Sequence, residues 1–485
     1  MRRLLEQPCY YVGFSLLYAL VLSFSFYPGI LYSDSYGRWK AAIGLATDGL
    51  DAISYIDTRS PLAPLIFMTP AYSLSGEIGL FHFCQSFLFS LTLFRFARVF
   101  SKSWLTMLVT SLVLLLPINF VYSVFSSYDS LLAIILLNVF ILLYKFEKNL
   151  FDGLLLATLI AVAIGTRFPA VLMLPVLLFA MFRLRDRYQR FSDYVTSISA
   201  TIVLTTVVLL TPSVVNFRQP QDNKSMAWNA NPLFDGIAWE YQNFATKWSS
   251  PDNDHFLARI GLSKEDLRDF SYSSILDNGW SGQNFIDRIP ASERWNLLRL
   301  YTRFALENPA LFVSEKAKYV ADLMGLYKPI RNYEIGKWRD APWWMPAFEE
   351  LGFKSNARKE RLIDIYFGFM TSIGSFFLRP ILVFTFLFGM ALVLRRREKA
   401  VLYSVGAVTV YYLAYAINSP SHELRYFYPV AYLFMGCLPP FVALSIEAIH
   451  YRIAGALHKF SMPLVPLQAE KSRRLEPDLR LLPLA

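Results

Sequence analysis

Long apolar runs, each closed by a small cluster of Lys or Arg, recur along this 485-residue chain. A run of about 20 apolar residues is what one helical crossing of a bilayer requires. In hydrocarbon the backbone must satisfy its own hydrogen bonds, so such runs fold as helices. The clusters orient them, because basic loops stay on the cytoplasmic side. Arg2 and Arg3 precede a first run at about 10–30, which puts the N-terminus inside and residues 31–76 in a first outer loop. The next apolar stretch, 61–94, is longer than one span needs; Pro61, Pro64, Pro70, Gly76 and Glu77 break its first half, and Arg95, Arg98 and Lys102 close it. The reading is an interfacial segment over 61–75 and a second span over about 77–95.

The pattern continues with spans at about 104–122 and 128–144, joined by the outer turn "SVFSSYD". Basic residues flank 150–182 at both ends, Lys148 before and Arg183, Arg185, Arg187 and Arg190 after, so this run is a hairpin of two helices with "GTRFP" (165–169) at its outer tip. Spans at about 194–213, 365–394, 400–417 and 428–447 follow. The expected fold is an all-α polytopic bundle of about ten transmembrane helices with one mixed, mainly helical extracytoplasmic domain. Its parts are an N-terminal membrane bundle (1–213), an outer domain (214–362), C-terminal spans (363–447) and a basic cytoplasmic tail (448–485).

Composition excludes two other classes. Only 17% of residues are charged, against about 25% in soluble domains. The net charge of +10 comes from short clusters between apolar runs, not from one basic face, which argues against a nucleic-acid partner. The three cysteines, Cys9, Cys84 and Cys437, lie in or beside apolar runs and form no metal pattern.

In the outer domain, eight of the ten tryptophans fall between Trp228 and Trp344, a distribution that suits a membrane interface or sugar stacking. The stretch 292–326 reads as two helices broken at Asn308–Pro309, with Ser292 as N-cap. "PDNDH" (251–255) reads as a turn, with a cation loop as the alternative. Asn119 and Asn138, inside spans, read as helix hydrogen-bonders.

The ionisable candidates all fall at outer span ends: Asp34, Arg38, Arg59, Asp129, Arg167, His422, Glu423 and Arg425. Each has a plain alternative: Asp34 as a helix cap or partner of Arg38, Asp129 as a cap, Glu423 as an ion-pair partner of Arg425, and Arg167 or Arg425 snorkelling to the surface. Their shared side is the stronger signal, since ionisable groups at membrane depth tend to be functional. An acid plus arginines suits transfer of a sugar from a lipid phosphate. The acid takes the proton of the attacking hydroxyl, and guanidinium groups bind and stabilise the departing phosphate.

The order of these features resembles the GT-C class of polytopic glycosyltransferases: Asp34 after the first span, "TRSPLAPLIF" (58–67), "SSYDSLLAIILLNVFILLY" (126–144), "GTRFPAVLMLPVLL" (165–178) and "HELRYFYP" (422–429). Within that class it is similar to the bacterial relatives of protein mannosyltransferases and lipid A aminoarabinose transferases. The resemblance implies a polyprenyl-phosphate-linked sugar donor, a glycan, lipid or protein acceptor, inversion at the anomeric carbon, and no metal or other cofactor. It makes Asp34 the catalytic base, places Arg167, Arg425, His422, Arg59 and Arg38 toward the donor phosphate, and leaves Asp129 and Glu423 in support. It implies a bacterial inner membrane, with both termini cytoplasmic and the site periplasmic. Several features depart from the pattern. Asp34 is flanked by Ser33 and Ser35 where many members carry an acidic pair, Arg167 stands where many have Lys, Arg59 where some have His, and the large domain follows the seventh span. An O-antigen polymerase or ligase using a lipid-pyrophosphate glycan, and a transporter or flippase, are the competing readings.

Overall fold

The computed structural model describes residues 5–30, 33–49, 64–145, 149–183, 185, 190–218, 232–268, 289–330, 349–353, 356–418 and 424–460. Among them there is no β-strand; a parallel bridge pairs Ile30 with Phe125. The helices are α1 (Pro8–Phe26), α2 (Ser33–Thr47), α3 (Thr69–Ser75), α4 (Gly79–Phe100), α5 (Trp104–Leu114), α6 (Pro117–Val124), α7 (Tyr128–Lys145), α8 (Leu150–Thr166), α9 (Leu174–Arg183) and α10 (Phe191–Arg218). In the next region come α11 (Pro232–Ala245), α12 (Pro251–Arg259), α13 (Lys264–Arg268), α14 (Arg294–Glu307) and α15 (Pro309–Leu323), and then α16 (Ala357–Ser372), α17 (Pro380–Leu394), α18 (Val401–Asn418) and α19 (Leu424–Phe460). The chain divides into a main compact unit, Met1–Ala443, and a C-terminal unit, Leu444–Ala485.

Five helices are long and apolar enough to cross a membrane: α1, α4, α7, the first part of α10 and most of α19. Four shorter apolar helices, α8, Pro169–Arg183, α17 and Val401–Tyr415, accompany them. Leu17, Leu20, Val21 and Phe24 of α1, and Val203, Val207 and Leu210 of α10, are exposed. Apolar faces of this extent, open on a folded chain, are what lipid covers.

Hydroxyl and amide side chains join the helices, as is usual where lipid removes the hydrophobic drive for helix pairing. Ser15 of α1 donates to Ser90 of α4 at 3.0 Å, Asn138 of α7 to Thr92 of α4 at 2.9 Å, and the hydroxyls of Tyr144 (α7) and Ser404 (α18) lie 2.5 Å apart. Tyr428 of α19 stacks on Tyr122 of α6 with centroids 3.8 Å apart and planes 6° from parallel. These contacts also set relative direction. Tyr144, Lys145, Arg98 and Ala400 lie toward one end of the bundle, where Arg98 donates to the Glu6 carbonyl at 2.9 Å. The starts of α7 and α19 and the ends of α8 and α18 lie toward the other, as the contacts of Asp129 described below require.

Several expectations are corrected. The span at 104–122 is broken: α5 and α6 meet at an angle of 71°. Pro117 has no N–H to continue the ladder, and Asn119 caps the gap by donating to the Val113 carbonyl at 2.6 Å while accepting from Tyr428 at 3.1 Å. The run at 365–394 is likewise divided into α16 and α17 by Gly374 and Pro380. The last helix does not stop at 447 but runs to Phe460, since no proline interrupts the chain beyond Pro440 until Pro463. The expected break of 61–94 is present: Gly76, at φ 70°, ends α3 before α4 begins.

Between α10 and α16, α11, α12 and α14 enclose a separate core of Tyr241, Phe244, Trp248, Phe256, Leu297 and Phe304. The two helices expected over 292–326 are α14 and α15, but Ser292 is not the cap; Glu293 occupies that position without a side-chain hydrogen bond. "PDNDH" is the first turn of α12, not a loop turn. Pro251 suits that position, Asn253 is buried and bonded to Tyr241 at 2.6 Å, and Asp252 and Asp254 pair with Arg303 and Lys264. Trp248 is core and Trp295 is 70% exposed; Trp228, Trp280, Trp338, Trp343, Trp344 and the Trp239 side chain lie outside the described residues. This region sits on α18 through Tyr319, which donates to the Tyr415 carbonyl at 3.0 Å, and through Tyr412, which donates to the Leu323 carbonyl at 2.6 Å.

The exit of the first span depends on Gly29. Its φ of 133° is open to glycine alone among ordinary residues, and a Cβ there would lie 2.2 Å from the His82 ring. Gly29→Ala is therefore expected to destabilise the protein by on the order of 3 kcal/mol, from backbone strain plus overpacking. A thermal-unfolding midpoint unchanged in detergent would contradict this.

Candidate functional site

The site is built on the turn between α6 and α7. Ile30 N–H donates to the Val124 carbonyl and Ser126 N–H to the Ile30 carbonyl, both at 2.9 Å, so the chain leaving α1 is fastened to the turn that opens α7. Three residues later α2 begins. Asp34 stands in its first turn; its side chain lies outside the described residues. One turn further on, Arg38 is 1% exposed and lays its guanidinium 3.6 Å from the ring centroid of Tyr128, the first residue of α7. Beside it Trp39, fully buried, donates to Ser126 at 3.0 Å.

Asp129 follows Tyr128 and is fully buried. It does not cap α7; its own N–H donates to the Ser127 hydroxyl at 3.1 Å. Arg167, at the end of α8, grips both its oxygens: Nε donates to Oδ1 at 2.9 Å and Nη2 to Oδ2. Ser127 donates to Oδ2 at 3.1 Å, and Tyr411 of α18 to Oδ1 at 3.2 Å. A buried pair of this kind needs its remaining oxygen lone pairs satisfied to offset the loss of hydration, and the serine and tyrosine do so. The Tyr411 hydroxyl lies 2.9 Å from that of Tyr415, whose ring stacks on Tyr426 at 4.5 Å. Tyr426 lies between two guanidinium groups: Arg167 at 5.5 Å and Arg425 at 4.8 Å from its centroid, with Arg425 Nη2 donating to its hydroxyl at 2.9 Å.

Arg38, Asp129, Arg167 and Arg425 are thus joined into one cluster through Tyr128 and Tyr426, drawn from α2, α7, the α8–α9 turn and α19. Arg59, His422 and Glu423 lie outside the described residues. The tyrosines were not anticipated from the sequence. Their available signal was the spacing of Tyr411 and Tyr415, one turn apart near the end of an apolar helix, and the adjacency of Tyr426 to Arg425. A cluster with three guanidinium groups and one carboxylate among its described members suits an anionic ligand. The expected helix hydrogen-bonders Asn119 and Asn138 are both satisfied within the bundle.

A second polar group adjoins the same turn. The ammonium of Lys359 (α16), 5% exposed, donates to the Gly29 carbonyl at 2.6 Å and lies 5.6 Å from the centroid of the Phe353 ring. His82 Nε2 is 3.0 Å from Ser126 Oγ. Burial lowers the Lys359 pKa from 10.5 to about 8. Between those values the unfolded chain binds the proton and the folded chain does not, so this group's contribution to stability rises as pH climbs from about 8 to 10.5. Below pH 8 both states are protonated and the full cost, on the order of 3 kcal/mol, is present. The stability difference between wild type and Lys359→Met should move in favour of wild type across that interval. A difference constant from pH 7 to 10.5 in chemical denaturation would contradict it.

No family model matches the chain, and no curated protein matches it. Among the solved structures that align with it are two of one protein. The crystal structure of ArnT from Cupriavidus metallidurans bound to undecaprenyl phosphate is 14% identical, with 89% of this chain and 78% of that chain covered and a TM-score of 0.34. The same protein in the apo state is 16% identical, with 86% and 77% covered and a TM-score of 0.32. At these scores the alignment carries no argument, and the functional reading rests on the residues.

Proposed function

We propose that this protein is a membrane glycosyltransferase that moves a sugar from a polyprenyl-phosphate donor to a glycan, lipid or protein acceptor at the outer face of a bacterial cytoplasmic membrane. The observation that carries the reading is the convergence of Arg38, Arg167 and Arg425 around Tyr128, Asp129 and Tyr426, beside the helix that begins with Ser33 and Asp34. In the proposed reaction the acceptor hydroxyl oxygen forms a bond to the anomeric carbon as the bond from that carbon to the phosphate oxygen breaks, with inversion. Asp34 takes the hydroxyl proton, and the electron pair leaves with the lipid phosphate. Guanidinium groups hold that charge through both oxygens and stay protonated throughout. Asp129 fixes Arg167 and Glu423 supports Arg425, while Arg59 and His422 complete the phosphate side. The reading assigns no metal or other cofactor.

The topology belongs to the same proposal. The five long apolar helices, the bent pair α5–α6 and the four shorter apolar helices make ten crossings, with both termini and the basic tail cytoplasmic. The 214–362 domain and the site are then periplasmic. Support comes from the basic residues: Arg95, Arg98, Lys102, Lys145, Arg183, Arg395, Arg396 and Arg397 all fall at helix ends remote from the arginine cluster. A transporter reading would look to interrupted helices for a substrate site. The α5–α6 break closes its own polar groups through Asn119 and Tyr428, which favours a structural role for it.

Asp34→Asn should reduce transfer from a purified polyprenyl-phosphate sugar by roughly 100-fold or more, the usual size of a general-base contribution, while membrane expression and donor binding stay at wild-type levels. Undiminished transfer would remove the catalytic assignment.

A further inference from the structure

Three contacts tie the chain before α17 to the end of α1 and the start of α2. The Lys359 ammonium holds the Gly29 carbonyl at 2.6 Å, Tyr36 donates to Glu350 at 3.0 Å, and the Arg358 guanidinium lies 4.6 Å from the Phe24 ring centroid. Gly29 and Tyr36 bracket Asp34, so the stretch is fastened on both sides from one direction. Below it the Gly29 backbone rests against the buried ring of His82.

The lysine is the unusual member. It is 5% exposed and has no carboxylate partner among the described residues, where a carbonyl oxygen, the face of Phe353 and the His82 ring are near it. Removing a cation from water without an opposite charge costs stability. A methionine of similar length would fill the same space without that cost. Groups that cost stability and persist in a fold are typical of functional positions.

We propose that Lys359 is a positioning residue for Asp34, fixing the exit of the first span through the Gly29 carbonyl so that α2 presents its first turn to the arginine cluster, with Glu350 steadying the far side through Tyr36. This rests on the reading of Asp34 as the base. Displacement of a reacting group by about 1 Å can cost on the order of 100-fold in rate. The lysine touches neither donor nor acceptor, so its loss acts on turnover and leaves donor binding alone.

The test uses the full-length protein in detergent with a polyprenyl-phosphate sugar, comparing Lys359→Met, Lys359→Gln and Glu350→Ala, with Asp34→Asn as control. Lys359→Met should lower kcat by about 10- to 100-fold, keep the donor KM within about twofold, and unfold at pH 7 at or above the wild-type midpoint. Lys359→Gln, whose amide can still donate toward the carbonyl, should recover part of kcat, and Glu350→Ala should lower it by only a few-fold. Wild-type kcat in both Lys359 variants overturns the proposal. So does a loss of kcat accompanied by a lower midpoint, which would mark the lysine as a structural support. Full activity in Asp34→Asn overturns the base itself, whereas an inactive Asp34→Asn beside a fully active Lys359→Met overturns only the positioning.

Discussion

The buried pair of Asp129 and Arg167 ties together three segments far apart in sequence. It closes the turn before α7 onto the tip of the α8–α9 hairpin, and through Tyr411 it draws in the end of α18. Tyr128 and Tyr426 then attach Arg38 and Arg425 to the same group. A carboxylate buried in this setting would be costly alone; with a bidentate guanidinium, a serine and a tyrosine its oxygens are satisfied. Arg38 and Arg425 also lie against aromatic faces, which favour a cation.

Much of this was legible in the sequence because the bilayer imposes a coarse rule. Apolar runs and basic clusters gave the helices, their order and the hairpin at 150–182. The bend at Pro117 was not read, since residues 104–124 are apolar on both sides and hydropathy is blind to direction; the proline itself was the missed signal. The division at Gly374 and Pro380 was lost for the same reason. "PDNDH" misled because Pro, Asn and Asp serve turns and helix starts alike, and only the burial of Asn253 distinguishes them.

The site was legible in its charges and not in its aromatics. Arg38, Asp129, Arg167 and Arg425 were singled out by their position at span ends, and they meet. Tyr128, Tyr411, Tyr415 and Tyr426, which connect them, look in sequence like the interfacial tyrosines that any membrane protein carries. Lys359 was hidden in "ARKER", a polar stretch where nothing local marks one of its basic residues as buried. Its partner is a backbone carbonyl 330 positions away, a contact no local pattern encodes.

The central claim is that the arginine cluster binds the phosphate of a lipid-linked donor. The direct measurement is the affinity of the purified protein for polyprenyl phosphate and for the corresponding polyprenol, in wild type and in Arg425→Gln. Loss of one charged hydrogen-bonding group should weaken the phosphate by about 10-fold or more and leave the alcohol unchanged. Equal affinity of both proteins for the phosphate, or an equal loss for phosphate and alcohol, would contradict the account.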